Sequence, residues 1–129
     1  MIKRIVAESG SRKAVLMDSI SNVDAGDAGH IVISASHGGV SSGEFARRHP
    51  LAAVFFNDAG VGKDDAGIAA LGMLEVPAGT VSHTSARIGD VEDMWRNGVL
   101  SHLNPAAASY GLKPNEPIQD AVGRLLKAL

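Results

Sequence analysis

Three polar bursts carry the side chains of this chain best suited to move a proton or hold an anion. They are His37-Gly38-Gly39, Asn57-Asp58-Ala59-Gly60 and His83-Thr84-Ser85-Ala86-Arg87. A histidine can act as general acid or base near neutral pH, so His37 and His83 are candidate proton carriers. Asp58 is the third catalytic candidate, as a base or as the group that fixes a histidine tautomer. Gly38 and Gly39 can bring backbone N–H groups close to an anion or a developing oxyanion. Asn57 could orient a substrate. Gly60, with Gly62 beyond it, reads as an anion-cradling loop. Ser85 could serve as nucleophile or donor, and Arg87 as a bidentate grip on carboxylate or phosphate. Each has a plain alternative. Glycines serve turns, Asn and Asp serve turns and caps, and Arg87 could simply pair with Asp90.

Other chemistries are poorly supported. A Ser–His–Asp triad could be assembled from Ser85, Asp58 and either His37 or His83, but three such common residues are easily found near one another. His37, His83 and Asp58 lack metal-ligand spacing, and no metal site is expected. No G-x-G-x-x-G, G-x-x-x-x-G-K-[ST], G-x-S-x-G or H-E-x-x-H occurs, so no organic cofactor is expected.

The elements that would position these residues are legible in outline. Ile2–Ala7 and Lys13–Met17 read as strands around a glycine-containing hairpin loop. Residues 18–29 read as a loop with room for one helical turn, and with a linker-like stretch from Ser21 to Gly29. Ile31–Ser36, Leu51–Phe56 and Gly79–Ser82 read as strands, the first two apolar enough for burial on both faces. Ser41 and Glu44 have capping-box spacing for a helix reaching about Arg48, before Pro50. Asp64 or Asp65 caps a second helix that runs to about Leu74. Asp90 caps a helix through Asn97, followed by Gly98 at its end. Asn104-Pro105 opens a short helix that Gly111 stops. Ile118, Val122, Leu125, Leu126 and Leu129 mark the apolar stripe of a last helix. His30, His49 and His102 are expected to be structural, with His102 on a surface helix; Trp95 is expected in a core or an interface.

Strands alternating with helices imply right-handed crossovers. The expected fold is a single-domain (1–129) three-layer α/β/α sandwich with a mostly parallel sheet and an antiparallel N-terminal edge hairpin. Parallel strands would set all three polar bursts along one sheet edge, where open α/β folds bind ligands.

Bulk composition narrows the function further. The 129 residues are 45 % hydrophobic and 20 % charged, with net charge −2 and no cysteine. Thiolate catalysis and disulfides are excluded, and a reducing, cytoplasmic setting is expected. Scattered basic residues and 4 % aromatics give nucleic acid neither an electrostatic footprint nor a stacking platform. No run approaches a membrane span, and the charged N-terminus does not resemble a signal peptide. The helix ending at Leu74 is apolar nearly all round, which calls for burial on more than one side. Exposed Ile68, Leu71, Met73 and Leu74 would form a large apolar patch, so a homo-oligomer is expected. The functional expectation is a cofactor-independent enzyme, of hydrolase or lyase type, acting on a small anionic metabolite. The alternative is a metabolite- or nucleotide-binding regulatory module without catalysis.

Overall fold

The computed structural model describes residues 2–60 and 65–129. Strands β1 (Lys3–Ser9) and β2 (Arg12–Met17) form an antiparallel hairpin turning at Gly10, whose φ of +60° favours glycine. β3 (Ile31–His37), β4 (Ala53–Asn57) and β5 (Ala78–Val81) continue the sheet in parallel with β2. β6 (Leu100–Leu103) closes the other edge, antiparallel to β5. The six strands lie in sequence order. Right-handed crossovers between sequential parallel strands must all fall on one face. That face carries α1 (Val40–Arg47), the 3₁₀ turn Ile20–Asn22 and the 3₁₀ helix Ala66–Met73. The opposite face carries α2 (Val91–Asn97), α3 (Pro105–Ser109) and α4 (Ile118–Ala128). The result is a three-layer α/β sandwich with a mostly parallel sheet.

Two cores follow from strand alternation. Successive side chains point to opposite faces, and both faces are covered. Leu16, Ile33 and Phe55 therefore pack with Met94, Ile118 and Leu125, while Met17, Val32, Val54 and Phe56 pack with Ala46, Ala70 and Leu71. Phe55 and Phe56 are both fully buried, each worth about 2–3 kcal/mol of apolar burial.

Four local readings need correction. First, α1 starts one residue before Ser41, with Gly39 as its cap and no side-chain capping bond; the Ser42 hydroxyl instead donates to the His37 carbonyl at 2.6 Å. Second, Ala66–Met73 is a 3₁₀ helix to which Asp65 makes no side-chain capping bond, while Asp64 lies outside the described residues. The Ala70 N–H donates to the Gly38 carbonyl at 2.8 Å, which takes it out of an α-helical ladder. Third, the loop of residues 18–29 contains two 3₁₀ turns, Ile20–Asn22 and Ala25–Asp27, where room for one was expected. The buried Asp27 fixes it, accepting from the Asp24 N–H at 2.9 Å and from Lys3 Nζ at 2.9 Å. Fourth, His102 lies on β6, not on a helix. Five residues between the stop at Gly98 and the start at Asn104 are too few to show an alternation.

The helix that suggested a partner subunit packs against α1 of its own chain. Leu71 is buried, and Ile68, Met73 and Leu74 are half-buried. The apolar patch that would call for a partner subunit is therefore largely covered within the protomer. Among the described residues no helix is long and apolar enough to cross a membrane.

Candidate active site

Because β3, β4 and β5 are adjacent and parallel, the segments that follow them share one sheet edge. Asp58 follows β4 directly. Its N–H donates to the Val81 carbonyl at 2.9 Å, which ties it to the end of β5. Its side chain is buried. One carboxylate oxygen, Oδ1, accepts the His83 backbone N–H at 2.9 Å and meets His83 Nδ1 at 2.6 Å. The imidazole itself is half exposed. A carboxylate can only accept, so Nδ1 carries the proton in this contact. Nε2 is then the outward ring nitrogen and the one able to take up a proton. Burial works against the Asp58 charge, but the Ser101 hydroxyl and the His83 ring and amide outweigh it, holding Asp58 below its ordinary value.

His83 and Arg87 line one open cleft of about 440 Å³, together with Ala59, Ser85, Ile88 and Asp93. Among the described residues the Arg87 guanidinium makes no hydrogen bond or ion pair. Its backbone N–H donates to Asp93 Oδ2 at 2.8 Å. That bond, reinforced by the Asn97 amide at 2.8 Å, holds Asp93 below its ordinary value. The carboxylate next to Arg87 is thus already engaged. Arg87 does not pair with Asp90, which instead caps α2 by accepting from the Asp93 N–H.

The other candidates fall elsewhere. His37 ends β3 opposite Asn57, is exposed, and does not line the cleft. Asp58 pairs with His83 and makes no bond to His37. The Gly38 N–H donates to the Asn57 carbonyl at 3.0 Å, so it is not offered to an anion. Gly39 caps α1, and the His37 ring sits over it. The Ser85 hydroxyl donates to the Ser82 carbonyl and accepts from the Val99 N–H, fixing the loop from both ends. Gly60 has a φ of +92° and is exposed beside the cleft-lining Ala59. Gly62 lies outside the described residues.

Asn57 is a staple. It is fully buried; its Nδ2 donates to the Ala86 carbonyl at 3.1 Å and its Oδ1 accepts from the Ala59 N–H at 2.9 Å. It therefore joins the loop that carries Asp58 to the loop that carries His83 and Arg87. We expect Asn57→Ala to lower unfolding free energy by about 2 kcal/mol, since it orphans two buried backbone groups. Urea denaturation checks this, and a change under about 0.5 kcal/mol, the range of ordinary surface substitutions, would contradict the staple.

Ser101 was not a sequence candidate, because β6 was not recognised. Asp93 reads in sequence only as a first-turn helix residue. Among the described residues no group of three or more His, Asp or Glu side chains could hold a metal ion.

Fold and site together define an α/β sandwich that carries a buried carboxylate and a half-exposed imidazole at the carboxyl edge of its sheet. Comparisons with protein-family models, with curated proteins and with solved structures give no match.

Proposed function

We propose that this protein hydrolyses a small anionic metabolite, with His83 as general base, Asp58 as its positioning partner and Arg87 as the anion grip. The observation that carries the reading is the 2.6 Å contact between buried Asp58 and half-exposed His83, in the cleft that Arg87 also lines. A buried carboxylate fixes the tautomer and offsets the charge the imidazole gains when it takes a proton. In the reaction, Nε2 takes a proton from water as the water oxygen bonds to the electrophilic carbon. The imidazolium then returns that proton to the leaving oxygen. Arg87, not engaged with any described carboxylate, holds the substrate's anionic group. A lyase reaction would use the same base on a carbon-bound proton.

The test uses para-nitrophenyl hemisuccinate, an activated ester that carries a carboxylate. Wild-type protein should release nitrophenol, and His83→Ala should release it about a hundredfold more slowly, the lower range of general-base contributions. Arg87→Gln should raise KM and leave kcat nearly unchanged. Equal rates for wild type and His83→Ala would overturn the assignment. Succinate binding without any ester turnover would favour the non-catalytic binding module instead.

A further inference from the structure

Behind the His83 loop lies a second cleft, of about 540 Å³, with a different character. Ser82, Thr84, Ser101 and Asn115 line it beside apolar Val99, Leu100 and Pro114, and no charged residue does. The first cleft has Arg87 and Asp93. Thr84 and Ser85 line both clefts, so the strip of chain bearing His83 is the wall between them.

The second cleft sets hydroxyls beside apolar surface, a mixture suited to the hydroxyl and C–H faces of a polyol. The Ser82 and Thr84 hydroxyls lie 2.6 Å apart and the Ser101 hydroxyl lies 2.9 Å from that of Thr80. A hydroxyl has one donor and two acceptor positions, so these internal bonds do not exhaust its hydrogen-bonding capacity. Asn115 sits at φ +73° with its side chain exposed. Its backbone N–H is engaged with the Leu100 carbonyl at 2.8 Å, which anchors this wall to β6. Neutral donors and acceptors without a net charge match a neutral, hydroxyl-bearing group.

From this juxtaposition we infer that the substrate is bipartite: an ester joining an acid-bearing half, held by Arg87, to a neutral polyol half, held in the hydroxyl-lined cleft. The bond to be cleaved lies over His83. This rests on the hydrolytic reading of the site and specifies its substrate class. Water adds its oxygen to the ester carbonyl carbon, His83 Nε2 takes the water proton, the bond from carbon to the alcohol oxygen breaks, and His83 returns the proton to that oxygen. The products are a carboxylate and a free polyol, with one proton released to solvent.

Glyceryl monosuccinate and succinate are the probes, followed by amide NMR shifts on the full chain. Succinate should shift Ala86, Arg87 and Ile88 only. The ester should shift these and also Ser101 and Asn115, and bind about tenfold more tightly than succinate, because its second half binds intramolecularly. Asn115→Gly keeps the left-handed backbone without strain and removes the side chain. It should weaken the ester about threefold, a typical loss for one hydrogen bond, and leave succinate unchanged. Ester binding across both clefts supports the bipartite substrate even if no turnover follows, in which case only the catalytic reading fails. Shifts confined to the Arg87 cleft, or ester affinity no greater than that of succinate, overturn it even if the ester is hydrolysed.

Discussion

Asp58→Asn should leave the protein folded and cut His83-dependent hydrolysis of para-nitrophenyl hemisuccinate by about a hundredfold or more. The substitution is isosteric. Oδ1 can still accept from the His83 N–H and from Nδ1, the two bonds that hold the loop. The negative charge that stabilises a protonated imidazole is lost. A short Nδ1–H···O contact at 2.6 Å should give a far-downfield ring proton in wild type, and that signal should move upfield in the variant. A variant that keeps both wild-type rate and wild-type ring signal would remove Asp58 from any positioning role.

The same substitution has a stability signature with a definite sign. Folding holds Asp58 below its ordinary value, despite burial, through Ser101 and His83. A carboxyl whose folded pKa is depressed stabilises the fold above the unfolded pKa, near pH 4. That stabilisation is lost as pH falls through the lower folded pKa. Wild-type stability should therefore drop on acidification below about pH 4, and Asp58→Asn should show a shallower drop. Parallel acid limbs for the two proteins would show that Asp58 is not held ionised by the fold.

Gly38→Ala should be among the most damaging single methyl additions in this chain, at about 3 kcal/mol, the upper range for overpacking a rigid site. A β-carbon at position 38 would lie 2.4 Å from the Gly67 carbonyl oxygen and 3.3 Å from its carbon. Both are backbone atoms of the 3₁₀ helix, and that helix is tied to the same place by the bond from Ala70 N–H to the Gly38 carbonyl. Neither side can yield without breaking the packing of Ala70 and Leu71 on the sheet. Gly39→Ala is the control. Its β-carbon would meet the His37 ring, 2.6 Å from Cε1, but His37 is exposed and its ring can rotate away. Its expected cost is about 1 kcal/mol or less, the lower range for such insertions. Thermal unfolding of both variants separates the readings. Equal, small losses would show that Gly38 is not a packing glycine, and an anion role for its loop would regain its footing.

Much of this molecule is legible along the chain, because local preferences decide it. Apolar β-branched runs at residues 31–36 and 51–56 announce buried strands, and Asp90, Asn104 and Gly111 mark helix ends that form as expected. Once the strands are parallel neighbours, the three polar bursts must share an edge, so the edge that carries the candidate site is also written in sequence order. What one-dimensional spacing does not hold is which atoms face one another across that edge. His37 and His83 have the same residue type and comparable positions after a strand. Only the three-dimensional path of the 82–90 loop carries His83, and not His37, onto the Asp58 carboxylate. That path is set by Asn57 Nδ2 on the Ala86 carbonyl and by the Gly89 N–H on the Ala35 carbonyl, bonds between residues distant in sequence. Ser101, which helps hold that carboxyl below its ordinary value, comes from β6, a strand too short to reveal itself by period and held by pairing with β5. The glycines at 38 and 39 were legible as a need for close approach. Whether the approaching group was an anion or a neighbouring backbone was decided by the packing of the 3₁₀ helix, because burial of Ala70 and Leu71 brings the Gly67 carbonyl to the spot where a side chain would stand.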